Sequence, residues 1–401
     1  MNTETYVSKA QTYLNTLCGF RPHRRTGSAG NRAATDYVAG RMRGWGYEVD
    51  ATPFRCMDYE SGRVTFQTGQ HSYEVFVSPF SPGVEVNAQL VSVSTVADLE
   101  KCDCRGRVLL LKGEIAAEPL MPKNFVFYNP DQHKQIYALL EEKQPAAIIT
   151  ASPRSGMAGA MYPFPMIEDG DFDIPSVYCT DTTGEDVATL VGQPVRLSFE
   201  ARRIPATATN VIATKKGSAT RKIVVCAHID CKPETLGATD DASGITVLVL
   251  LAEMLADYDG PVGIELAAIN GEDYYGAPGE MDYLRRYGEP MGKITLAVNI
   301  DGAGYKEGKS AFSLYECPDE LQQKARAVFG RYPGIVEGGQ WYQGDHMLFV
   351  QGGRPAVAIT SEKAMELLTA VTHTPKDTPN IVDCRKLVEI AGAVRDLIAG
   401  L

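Results

Sequence analysis

Five places between residues 222 and 378 carry side chains able to hold a metal ion or move a proton. His228 and Asp230 close the run KIVVCAHID, and Asp240 and Asp241 sit in ATDDASG. Glu272 and Asp273 lie in NGEDYYG, Asp301 ends VNID, and His373 and Asp377 lie in HTPKDT. Each has an ordinary reading by itself. A histidine at a strand end is commonly a hydrogen-bonded structural residue, an aspartate before a helix caps it, and Glu-Asp in a loop is usually solvated. Together they gather carboxylates that would repel one another unless a cation sits among them. Mixed imidazole and carboxylate ligands suit zinc, with manganese or cobalt as alternatives.

These residues share an address in the predicted elements. From about residue 206 the pattern alternates strand and helix: strands 222–229, 261–269, 293–300, 311–316 and 355–360, and helices 243–255, 277–287, 318–331 and 384–399. Such alternation predicts an α/β fold, a central mixed, mostly parallel sheet with helices on both faces. In open sheets of that kind ligands bind beyond the carboxyl ends of the strands. His228, Asp240, Glu272, Asp273, Asp301 and His373 all follow such ends, so one rim should carry them.

Residues 4–18 and 30–46 read as two further helices, the second placing Ala34, Tyr37, Val38 and Met42 on one face. Between about 55 and 205 the texture changes to short β-type runs at 62–67, 72–79, 86–93 and 107–112, then a helix near 131–142. Further apolar runs follow at 146–150, 174–179 and 194–200. This predicts a β-rich domain, 55–205, inserted into a catalytic domain built from 1–54 and 206–401.

The chain has 401 residues, 44% of them hydrophobic, and a net charge of −11. That balance argues against nucleic acid or an anionic membrane surface as partner. No apolar stretch reaches the about 18 residues a membrane span needs. The start, MNTETYVSKAQTYL, lacks the basic-then-apolar pattern of a signal peptide. Nine cysteines without regular spacing do not read as a disulfide framework. Cys102 and Cys104 form a CxC with no second pair for a zinc ribbon. Buried thiols, and a cytoplasmic setting, are the expectation. The sequence leaves the oligomeric state unknown.

The ordered set VVCAHID, ATDDASG, INGEDYYG, VNID, GDH at 344–346 and HTPKDT resembles the co-catalytic zinc aminopeptidases of clan MH. That group includes bacterial leucyl aminopeptidases and glutamate carboxypeptidase II. RTGSAGNRAATDYVAGRM looks like the family's lead-in helix, and GRVLLLKG, AAIIT and IPSVYC are similar to a protease-associated insert. The resemblance implies a peptide substrate and two zinc ions. It implies that His228 and Asp301 hold one ion, Asp273 and His373 the other, and that Asp240 bridges them. Glu272 would be the general base, Asp230 would orient His228, and Asp377 would support His373.

The chain departs from the family in three places. Thr239 stands before Asp240 where many members have another aspartate, at a position that is not a ligand. Asp273 stands where a second glutamate is usual, one methylene shorter. Trp341 and Tyr342 precede GDH, where relatives carry a tyrosine that steadies the oxyanion; the register is off by one, and Tyr342 is the candidate. Three other readings stay open: a one-zinc glutaminyl cyclase, a non-catalytic module like that of the transferrin receptor, and a carboxypeptidase. The last needs a cation for the substrate carboxylate, and Arg354 is the candidate.

Overall fold

The computed structural model describes residues 3–217 and 220–401. The chain divides into two compact units, 1–56 with 206–401, and 57–205. The two crossings between them, Pro53–Ser61 and Ala201–Thr209, pair as a two-stranded ribbon.

The larger unit is built on an eight-stranded sheet. Its order is Glu48–Asp50, Val211–Lys215, Gly263–Ile269, Lys222–His228, Ile294–Ile300, Ala356–Ser361, Ser310–Tyr315 and Ile335–Glu337. The four central strands run parallel, with His228 level with Ile269 and Cys226 level with Asn299. Val211–Lys215 and Ser310–Tyr315 join this block antiparallel on either side. Parallel strands must be covered on both faces, which is why these runs read as continuous apolar text rather than alternation.

The period-two alternation of a strand sorts the two faces. Ile223, Val225, Ala227, Leu296, Val298 and Ile300 join the main core with residues of Thr3–Gly19, Ala29–Gly44, Ser243–Met254 and Cys384–Ala399. The alternate residues face the other way. Glu265 accepts the Tyr283 hydroxyl from helix Pro278–Tyr287 at 2.5 Å, and Asn299 meets His346 of helix His346–Gln351 at 3.5 Å. Helices therefore cover both faces. Ser243–Met254 is apolar on every side because its neighbours surround it; every residue from Ser243 to Ala252 is buried. The helices His346–Gln351 and Ala364–Ala370 were not foreseen, because six or seven residues are too few to show a helical period.

Leu248 lies at the centre of that buried helix with no exposed surface. Leu248→Ala should cost about 2–5 kcal/mol of stability, transfer and cavity terms together. Urea unfolding of the two proteins side by side measures it; a cost under about 1 kcal/mol would mean that the site collapses around the smaller residue.

The unit 57–205 holds its own eight-stranded sheet, ordered His71–Tyr73, Thr65–Thr68, Pro194–Phe199, Val84–Val93, Val108–Leu111, Ala147–Ser152, Ser176–Thr180 and Phe76–Val77. Helices Val96–Lys101, Asp131–Lys143 and Asp181–Ala188 accompany it, and two separate apolar clusters make its core. Thr95 and Asp98 close a reciprocal cap at the start of the first helix. Cys18, Cys102, Cys104, Cys179, Cys226, Cys231, Cys317 and Cys384 are free thiols. Among the described residues no helix is long and apolar enough to cross a membrane.

Candidate metal centre

The carboxyl ends of the parallel strands deliver the site. His228 is the last residue of its strand, Asp301 immediately follows Ile294–Ile300, and Glu272 and Asp273 stand three and four residues after the end of Gly263–Ile269. Asp240 stands in a single wide helical turn, Ala238–Ala242, with non-helical backbone and a cis peptide bond to Asp241. His373 lies in the turn after Ala364–Ala370 with φ +62°, a left-handed conformation unusual for a side chain of its size.

Two groups of ligand atoms form there. One joins His228, Asp240 and Asp301; the other joins Asp240, Asp273 and His373. Asp240 belongs to both, and its oxygens divide between them. Oδ1 lies 2.9 Å from His228 Nε2, whereas Oδ2 lies 3.0 Å from His373 Nε2. His373 Nε2 is also 2.8 Å from Asp273 Oδ1, and His228 Nε2 is 3.8 Å from Asp301 Oδ1.

These residues fit a metal better than they fit one another. His228 is 1% exposed, yet neither of its ring nitrogens has a hydrogen-bond partner of proper geometry, and Asp273 Oδ2 is also buried without one. Buried polar atoms are almost always paired. Close approach without donor–acceptor alignment is how two ligands of one ion sit. The electrostatics agree. Burial opposes charge on His228 and His373, but the surrounding carboxylates outweigh it and raise both imidazoles well above their ordinary range. The same two histidines hold Asp240 below the ordinary carboxylate range, against the opposing effect of burial. A cluster that draws protons this strongly would also draw cations.

The supporting carboxylates are placed distinctly. Asp230 Oδ1 lies 3.6 Å from His228 Nδ1 and accepts the Gly271 N–H at 2.7 Å. Asp377 was expected to support His373. Instead its two oxygens accept the N–H and hydroxyl of Thr239, at 2.8 and 2.9 Å, and the N–H of Asp240, at 3.2 Å. It therefore fixes the backbone of the residue shared by both groups. Asp241 accepts the Gly244 N–H at 2.7 Å, so its ordinary reading as a capping residue holds.

Glu272 is partly exposed beside the two groups. Burial is the main cause that raises its carboxyl well above the usual range; His228 opposes this, and Asp273, Asp301 and Asp345 reinforce it. Glu280 was not singled out in the sequence, and Asp345 entered only as the middle residue of the GDH motif, with no role assigned. Both are buried, and burial followed by the Glu272 charge pushes Glu280 up to about 8. Only tertiary folding brings them near Glu272, so no local signal marked them as its neighbours.

Two candidates fall elsewhere. Tyr342 is 66% exposed, and its hydroxyl donates to Gln340 Oε1 at 3.0 Å. The ring that approaches the site is Trp341: Gly344, with φ +114°, leaves room where a Cβ would come within 2.9 Å of that ring and 3.3 Å of Asp301 Oδ2. Arg354 precedes the amino end of strand Ala356–Ser361. At about 3.3 Å per residue that strand separates it from the rim by about 20 Å, so it cannot meet a substrate carboxylate there.

The loop bearing Trp341 is tied down by Tyr315 and His346. Tyr315 Oη donates to the Trp341 carbonyl at 2.5 Å and accepts its N–H at 2.7 Å, and His346 Nε2 reaches the same carbonyl at 2.9 Å. His346 is fully buried, and burial holds its imidazole down at about 4. A base whose folded pKa lies below its unfolded value of about 6.5 contributes stability above that value. The contribution is lost as pH falls towards 4, and by linkage amounts to about 3 kcal/mol over the window. Urea titrations between pH 7 and 4.5 should show a shallower pH slope for His346→Gln than for the parent; equal slopes would assign the acid sensitivity to other groups.

The comparisons with known proteins agree with this geometry. Residues 210–398 match the model of Peptidase family M28. The curated protein named "Probable lipoprotein aminopeptidase LpqL", from Mycobacterium tuberculosis, is 24% identical over 308 residues, 74% of this chain. The chain spans 57% of that protein's length. The aminopeptidase of Aneurinibacillus sp. strain AM-1 superposes with a TM-score of 0.77 at 21% identity, covering 98% of this chain and 93% of that one. A zinc aminopeptidase of Bacillus subtilis gives 0.76 at 18% identity, covering 98% and 95%. The structural likenesses speak for the fold. The family match spans the strands and loops that deliver both ligand groups, and over those residues the chain is similar to Peptidase family M28.

Proposed function

We propose that this protein is a zinc-dependent aminopeptidase that removes N-terminal residues from peptides at a two-zinc centre. His228 and Asp301 would hold one ion, Asp273 and His373 the other, and Asp240 would bridge them. The observation that carries this reading is the division of the two Asp240 oxygens between His228 and His373. Zinc bound there would supply Lewis acidity for a scissile carbonyl and lower the pKa of a bound water towards neutrality. Manganese or cobalt could occupy the same ligands.

The chain's own residues do the rest. Glu272 takes the proton of the attacking water and hands it to the departing amine. Its raised proton affinity suits a group that must hold that proton between the two steps. Asp230 keeps the His228 ring in place, and Asp377 keeps the Asp240 backbone in place. The exposed Tyr342 remains only a candidate for steadying the oxyanion, and would need its loop to move. The unit 57–205 is read as a protease-associated-like insert, on its run of parallel strands from Val84–Val93 to Ser176–Thr180.

The test is a panel of amino-acid p-nitroanilides with N-acetylated controls, run with metal analysis. The expected result is turnover of free amino termini only, two zinc ions per chain, loss of activity in 1,10-phenanthroline and recovery on adding zinc. Turnover of the blocked controls would refute an aminopeptidase. A single ion, with cyclisation of N-terminal glutamine, would favour the cyclase reading.

A further inference from the structure

The segment before the second helix packs against both loops that carry the site, and the roles assigned so far leave it unused. Arg24 is 2% exposed and spreads its guanidinium over four carbonyls: Ile229 at 3.1 Å, Leu17 at 3.2 Å, Leu236 at 2.8 Å and Gly237 at 2.9 Å. Three of these belong to the loop that joins His228 to Asp240. Asn31 and Asn270 exchange a reciprocal pair of amide bonds, each 2.9 Å long. Asn31 Nδ2 also donates to Arg24 O at 2.8 Å, and Asn270 Nδ2 to Thr209 O at 3.1 Å. These bonds fix both amide orientations, because turning either one would set donor against donor.

Thr26 is the centre of this arrangement. It has no exposed surface, and its hydroxyl lies 3.1 Å from Asp230 Oδ2 and 2.9 Å from Asn270 Oδ1. Asp230 stands two residues after His228, and Asn270 stands two residues before Glu272. One proton therefore faces two acceptors, one from each loop that carries the site. Asp230 also accepts the Gly271 N–H, so the two loops are already latched, and the Thr26 hydroxyl sets the spacing of the latch.

We propose that Thr26 is a positioning residue: its hydroxyl, shared between Asp230 and Asn270, holds the His228 loop and the Glu272–Asp273 loop at the separation that two-ion binding and proton transfer need. The assignment rests on reading His228 and Asp273 as metal ligands. It uses the hydroxyl and not the methyl group, so serine should serve in its place and valine should not.

The experiment compares the parent protein, Thr26→Val and Thr26→Ser, each purified with zinc. Two quantities are measured: zinc retention against a competing chelator, and kcat and KM on an amino-acid p-nitroanilide. Outer partners of metal ligands are typically worth about 10–100-fold in affinity or activity. Thr26→Val should therefore retain zinc about 10–100-fold less tightly and lose kcat at saturating zinc with KM nearly constant, while Thr26→Ser stays within about threefold of the parent. Equal zinc retention and kcat in Thr26→Val would overturn the proposal alone. A parent protein that binds no zinc would overturn the metal-centre reading and this proposal with it. If Thr26→Val fails to fold, Thr26→Ala removes the same hydroxyl without placing a methyl group against a carboxylate. Failure of both to fold, with serine folding normally, would make Thr26 a folding element and overturn the positioning role.

Discussion

Glu272→Gln should lower kcat by about 10²–10⁴-fold, the usual worth of a positioned general base, while both zinc ions stay bound. Glutamine keeps the size and hydrogen-bonding shape of the side chain but cannot take a proton from water. Glu272 belongs to neither group of ligand atoms, so its replacement leaves both sets intact. KM should change little, because the group acts on the proton in flight rather than on the bound peptide. The measurement is steady-state kinetics on a substrate with a free amino terminus, paired with metal analysis of the same sample. Near-normal turnover would return Glu272 to the status of a solvated loop residue. Loss of zinc along with activity would make it a ligand and not a base.

Asp240→Ala should act through the opposite route, by emptying the site. One oxygen of Asp240 faces His228 and the other faces His373, so a single substitution removes a ligand from both groups at once. Outer partners of metal ligands alone are typically worth about 10–100-fold, so loss of a shared ligand should weaken zinc retention by more than about 100-fold. Activity should vanish at the zinc concentration that saturates the parent. The fold should survive, because the polypeptide around Asp240 is held by Asp377 through the Thr239 and Asp240 N–H groups. Chelator competition and far-ultraviolet circular dichroism separate the two effects. A variant that still held two ions would refute the bridging role. Asp377→Asn offers a milder companion: it keeps the shape but weakens those bonds, and should loosen zinc without abolishing it.

Much of the larger unit was legible in the chain. Lys222–His228, Gly263–Ile269 and Ile294–Ile300 are buried on both faces, so they announce themselves as unbroken apolar runs, and each ends at, or within four residues of, a residue able to bind metal. Parallel strands place all their carboxyl ends on one rim, and so His228, Asp273 and Asp301 could be assigned a common location without coordinates. The convergence of Asp240 and His373 was harder to read. Asp240 lies in an irregular turn and His373 in a left-handed one, and neither conformation leaves a periodic trace.

What the sequence could not decide was direction and partnership at the scale of single atoms. The family resemblance proposed Asp377 for His373, but the folded loop turns its carboxylate onto the backbone of Asp240. The family resemblance suggested Tyr342 as the aromatic at the site, whereas the turn through Gly344 brings the Trp341 ring near Asp301 and leaves Tyr342 in solvent. Arg354 is close to the motifs in sequence but lies at the wrong end of its strand. The bonds from Thr26 to Asp230 and Asn270 span 204 and 244 residues of chain. Hydrophobic periodicity is set by which face each residue buries, so it survives in the sequence. A hydrogen bond across such a span depends on two distant backbones arriving within a few tenths of an ångström, and only the packed tertiary structure fixes that.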